Sequence, residues 1–177
     1  YNIAANLGTT YELTGKNELA LQFIKKGLAL NPDSHDGSEW VHVKILEAKM
    51  KMAVEPGWLY KNRVLGTGVT FDSKESELLN DKAWHVEYQM RERVPFTPFP
   101  DPLLANVFDE LGDLYATKHS VELAYIAYDF SLQYDASEHY EIKKKIKWDS
   151  VHKKTKKKNL SFSLKSGFED FDKSLKF

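Results

Sequence analysis

A glycine inside an apolar helical stripe requires a close neighbour, and this chain carries that requirement twice. Residues 6–32 read NLGTTYELTGKNELALQFIKKGLALNP. Ile3, Leu7 and Thr10/Tyr11 recur at helical spacing and predict one apolar face. Gly8 lies inside that helix, where it costs about 1 kcal/mol against alanine, so a second helix is expected to pass close by. Thr14-Gly15-Lys16-Asn17 supplies a break, with Asn17 as the candidate cap of the next helix. Leu19, Ala20, Phe23, Ile24 and Gly27/Leu28 then share a face, and Asn31-Pro32 ends the helix because proline cannot continue it. Such a pair cannot bury its apolar face alone and calls for stacked neighbours.

The pattern returns between residues 103 and 136. Phe108, Leu111-Gly112 and Tyr115 stand in a first helix, His119-Ser120 marks a turn, and Ala124, Tyr128 and Ser131 follow. Glycine to tyrosine is 3 residues and glycine to alanine 12 in both copies, which lie 104 residues apart. This order and spacing resembles the tetratricopeptide repeat (TPR), a helix–turn–helix unit of about 34 residues. The offset is close to three such periods. The resemblance covers residues 1–32 and 103–136. Ala4 stands where the family usually has an aromatic, Ser131 where it has a small apolar residue, and Ala136 where it has the final proline.

The resemblance implies an all-α fold: a short TPR-type helical-hairpin solenoid with an irregular central insertion. One TPR-like domain is expected over residues 1–152, with repeats near 1–34 and 103–138 and a degenerate middle at 35–102. It also implies a non-catalytic scaffold that binds a protein or peptide in a concave groove lined by the first helix of each repeat. In the first repeat that groove would carry Asn2, Ala5, Asn6, Thr9 and Glu12/Leu13; in the second, Asn106, Asp109, Glu110 and Asp113. The TPR subtype that clamps C-terminal carboxylates uses lysine, arginine and asparagine there. Only the asparagines are present, and the second repeat puts acid where that clamp needs base. Charge complementarity then favours a neutral or basic segment as partner. In an alternative reading the acids only keep an exposed helix soluble. A structural subunit packed permanently into a larger complex is the alternative function.

Between the two copies the signals are mixed. Residues 33–40 (DSHDGSEW) read as a polar, turn-rich linker, and 38–54 as a long helix ended by Glu55-Pro56-Gly57. Trp58, Leu59 and Leu65 suggest a short helix. GTGVTF at 66–71 reads as extended or looped, without the third glycine and following helix of a nucleotide loop. Residues 81–94 fit both periods. Ala83, Val86, Met90 and Val94 make a helical stripe, and a lone strand would lack a partner, so a helix is expected. PFTPFPDP at 95–102 predicts an extended, rigid connector whose Phe96 and Phe99 pack on neighbouring helices. Asp101-Pro102 is a helix start. Residues 137–152 read as a last helix with Ile142, Ile146 and Val151 inward and lysines outward, followed by a basic, flexible tail at 153–177.

Composition narrows the chemistry. The chain has 177 residues, a net charge of -1 and no cysteine. There is no global basic field for nucleic acid or a membrane surface, no apolar run of about 18 residues for a membrane span, and no thiolate chemistry. His35, Glu39 and His42 cluster, and Glu39-x-x-His42 has the spacing of a helical metal pair. No second such pair exists to complete a two-metal site, so these read as surface polar residues. Asp109 and Asp113 lie on one helix face, whereas general acid–base catalysis needs groups opposed across a substrate. No enzyme activity, metal or cofactor is expected. The sequence leaves the compartment open. Beginning at Tyr1 in register with a repeat, it reads as a processed or trimmed chain.

Overall fold

The structure is a computed structural model and describes residues 1–71, 73–74, 77–117, 120–137, 145–147, 149–150 and 153. The expectations for His119, for most of the last helix at 137–152 with Ile142 and Val151, and for the tail from residue 154 onward lie outside them. All regular structure among the described residues is helical. The chain forms two compact units, Tyr1–Leu65 and Gly66–Phe177.

In the first unit, α1 (Asn2–Leu13) and α2 (Asn17–Leu30) form an antiparallel hairpin, on which α3 (Glu39–Val54) packs, followed by the single turn α4 (Trp58–Lys61). The expected glycine contact is present. A Cβ on Gly8 would sit 2.5 Å from Cδ1 and 2.6 Å from Cγ1 of Ile24, so only glycine lets α2 approach this closely. Ala20, Ile24 and Leu46 are buried together, with Tyr11, Leu21 and Val43 packed around them. Full burial of Ile24 contributes about 2–3 kcal/mol. The expected apolar face of α1 is corrected. Ala4, Ala5 and Gly8 face inward, while Ile3 is 79% exposed. Small residues win the inner face because they allow closer backbone approach. Asn17 is the first helical residue rather than the cap, and Lys16 precedes it without a side-chain bond.

Between α2 and α3 lies a short 3-10 turn, Ser34–Gly37, in which His35 (φ 50°) and Asp36 (φ 53°) are both left-handed. Two consecutive non-glycine residues in this region are uncommon and strained. The turn delivers the chain into α3 with His35 above Glu39.

In the second unit, α5 (Glu77–Arg93) settles the mixed period of its sequence as helix. Its Ala83, Val86 and Met90 are fully buried. The proline-rich stretch departs from expectation in two ways. Val94–Phe96 forms one 3-10 turn, and Phe96 is 72% exposed. Proline fits a first helical turn, where its missing N–H is not needed. Phe99 does pack, its ring centroid 4.2 Å from that of Tyr134. Then α6 (Pro102–Thr117) begins as expected, with Asp101 Oδ1 accepting from the Leu104 N–H at 2.9 Å. It pairs with α7 (Val121–Tyr134).

The two hairpins are internally congruent. Shifted by 104 residues, the ends of α2 fall on those of α7 and the end of α1 on that of α6. The turn bond from Lys16 N–H to Tyr11 C=O recurs from Ser120 to Tyr115, and the closing bond from Asn31 to Gly27 recurs from Asp135 to Ser131. A Cβ on Gly112 would collide with the ring of Tyr128, which occupies the place of Ile24. The inner fillings differ. Phe108 stacks on Phe130 at 5.2 Å and Tyr134 at 5.6 Å. The corresponding Ala4 is too small to do so, and Leu30, matching Tyr134, is 61% exposed.

Candidate functional site

The residues assigned to a groove by sequence separate into two environments. Asn2, Asn6 and Thr9 lie on the open side of α1. They are i, i+4 and i+7 and share one face. Thr9 turns its hydroxyl back to the Ala5 carbonyl at 3.2 Å, whereas Ala5 is buried and Glu12 is drawn into contacts with α3.

Asn106, Asp109, Glu110 and Asp113 form the equivalent stripe on α6, but all four are buried. The expectation that these acids face an open groove is corrected. Asp109 and Asp113 are met by Lys147, in the helical residues 145–147. Its Nζ lies 2.6 Å from Asp109 Oδ1 and 3.0 Å from Asp113 Oδ1, and 5.0 Å from the centroid of the Tyr128 ring. Tyr128 donates its hydroxyl to Asp113 Oδ1 at 2.9 Å. Two carboxylates on one helix face repel each other, and a shared ammonium removes that repulsion. The aromatic face adds attraction for the same cation. Glu110 lies deeper, 3.4 Å from the Thr67 N–H and hydroxyl.

The expected polarity of residues 137–152 is thereby reversed where it is described. Ile146 is 57% exposed and Lys147 only 8%. Lys147 reaches the α6 carboxylates while Ile146 stays exposed. Also on α6, Tyr115 donates its hydroxyl to Glu87 of α5. Burial first, and then the Glu87 charge, push its pKa well above the usual value. Burial and Asp101 push Tyr134 up to about 12.

The first unit holds a second polar cluster. The expectation that His35, Glu39 and His42 lie on the surface is corrected for Glu39 and His42, which are buried. His42 faces Glu39 Oε1 with Nδ1 at 3.1 Å and Glu12 Oε2 with Nε2 at 2.7 Å. Lys49 donates to Glu12 Oε1 at 2.8 Å, and His35 Nδ1 pairs with Glu39 Oε2. Burial opposes ionisation of Glu39, but hydrogen bonds from His42 and His35, with their charges, outweigh it and hold the carboxyl below its usual range. Both ring nitrogens of His42 and Nδ1 of His35 face carboxylates of the cluster, while His35 Nε2 lies 3.4 Å from the Tyr1 hydroxyl. Among the described residues no group of three or more histidines and carboxylates is placed to hold a metal ion.

Sequence reasoning missed His42 and Lys147 as structural centres. The only available signal was the Glu39-x-x-His42 spacing, which placed the pair on one helix face without revealing that α1 covers it. No described helix is long and apolar enough to cross a membrane. Comparison with family models, with curated proteins and with solved structures gave no match.

Proposed function

We propose that the chain is a non-catalytic scaffold that binds a protein or peptide, built as a short TPR-type solenoid of helical hairpins. The observation that carries this reading is the open face of α1, where Asn2, Asn6 and Thr9 stand exposed on a helix whose opposite side is locked to α2. Polar side chains on a rigid element suit hydrogen bonding to an extended backbone. The congruence of the two hairpins supports the repeat reading. The buried groups of both clusters pair with one another, which supports a binding role over a catalytic one.

The test uses the purified chain as bait in extracts of its native source, beside an Asn6→Arg/Thr9→Arg variant that melts at the same temperature. A partner held by the wild type, lost by the variant and exchanging with free partner supports the scaffold. A partner held equally by both removes recognition from the α1 face.

A permanent assembly subunit is the second reading. It is favoured by the exposed large apolar residues Ile3 (79%), Leu13 (66%), Leu30 (61%) and Val54 (88%). Isolation only as a non-exchanging complex would select it.

A further inference from the structure

The open side of α1 carries no charge. One row along it is Asn2, Asn6, Thr9 and Leu13, and the row beside it is Ile3, Leu7 and Thr10. These are all the exposed residues of the helix, in a chain that is 29% charged, so an uncharged surface of this length is unusual for it. The neighbouring helices differ. α2 exposes Glu18, Lys25 and Lys26, and α3 exposes Lys44 and Lys51. The single charged residue of α1, Glu12, is turned inward, with His42 and Lys49 on its carboxylate.

The hydroxyls on this side need no donor contact from outside. Thr9 donates to the Ala5 carbonyl at 3.2 Å and Thr10 to the Asn6 carbonyl at 2.8 Å. Covering the surface therefore strands neither donor. Among these groups stand Ile3 at 79% exposed, Leu13 at 66% and Leu7 at 38%. The close approach of α2 at Gly8 fixes the helix, so its side chains are presented with little left to order on binding. A charged segment laid here would shed its water and meet no opposite charge in return. An uncharged apolar segment has no such hydration to lose and gains contact with all three apolar side chains.

We propose that the open side of α1 binds an uncharged, apolar peptide segment through Ile3, Leu7 and Leu13, with Asn2 and Asn6 supplying the directional hydrogen bonds. This rests on the binding-scaffold reading and names the chemistry of its partner. A side-chain amide both donates and accepts, which suits a peptide backbone that offers both. Because screening by salt acts on charge, such binding is insensitive to ionic strength.

The probe is a library of random peptides displayed on phage and selected on the immobilised full chain. Selected sequences are made as fluorescent peptides and titrated by anisotropy into the wild type, Ile3→Glu/Leu13→Glu and Ile3→Ser/Leu13→Ser. Both positions are exposed, so the variants are expected to melt with the wild type. The serine pair removes apolar contact without adding charge. Selected peptides are expected to be uncharged and rich in apolar residues, and to bind both variants at least about tenfold more weakly than the wild type. Their affinity for the wild type should change by less than about twofold between low and high salt. Charged peptides that lose affinity for both variants would overturn the proposal while leaving α1 as the binding face. Peptides that bind all three chains equally, or no selected peptide, would overturn it together with the α1 reading. Sedimentation of the chain alone adds one further outcome. Self-association that both variants abolish would make a second copy the occupant and overturn the proposal.

Discussion

His42 on α3 lies 2.7 Å from Glu12 on α1, and both side chains are more than nine-tenths buried. This pair joins two helices that are not neighbours in the chain. Replacing His42 by alanine removes the ring that bridges Glu12 and Glu39, whose contacts with Lys49 and His35 remain. The expected loss is about 1–3 kcal/mol, the range for depriving a buried polar group of a hydrogen-bond partner. Urea unfolding of wild type and His42→Ala measures it. A loss within about 0.5 kcal/mol, the range of an ordinary surface substitution, would reject the buried network.

The same cluster sets an acid limit. Glu39 has a native pKa below its ordinary value of 4.5. Its contribution to stability is therefore fully present above pH 4.5 and is lost as pH falls through the lower native value. Thermal melts of wild type and Glu39→Gln between neutral and acid pH should converge below that point. Parallel curves across the whole range would contradict the assignment.

Two glycines in the first hairpin should respond oppositely to alanine. Gly8→Ala places a methyl against Ile24 and its backbone nitrogen, which forces a shift costing about 1–3 kcal/mol. A Cβ at Gly27 meets its nearest atom, the Ala5 nitrogen, at 3.6 Å, an ordinary contact. Gly27→Ala should therefore gain up to about 1 kcal/mol from helix propensity. Denaturant midpoints of the two variants give both signs directly.

Asp101 accepts from the Leu104 N–H at 2.9 Å. Asp101→Ala should destabilise the second unit by about 1 kcal/mol, the usual value of a helix cap. Asp101→Asn should recover most of it, since the amide oxygen still accepts. Melting temperatures of the two variants make the comparison, and equal losses would show that charge, not capping, is what the position supplies.

Local rules made much of this fold readable. The Ala83/Val86/Met90 stripe, the Asp101-Pro102 start and the Gly8 contact each depend on residues within a few turns of one another. The polar centres do not. His42 meets Glu12 across 30 residues and Lys147 meets Asp109 across 38. Pairing of opposite charges at such separations has no period. Hydropathy gave the wrong answer for residues 145–147, because it ranks lysine outside and isoleucine inside without knowing that α6 offers two carboxylates. The open side of α1 was legible as a face, since helical spacing alone groups Asn2, Asn6 and Thr9.

The seating of Lys147 also orders events during synthesis. Asp109 and Asp113 leave the ribosome 38 and 34 residues ahead of their cation. Until Lys147 emerges, the α6–α7 hairpin lacks the ammonium that pairs with both carboxylates in the finished fold. Translation speed through that interval sets how long the nascent hairpin waits for this contact.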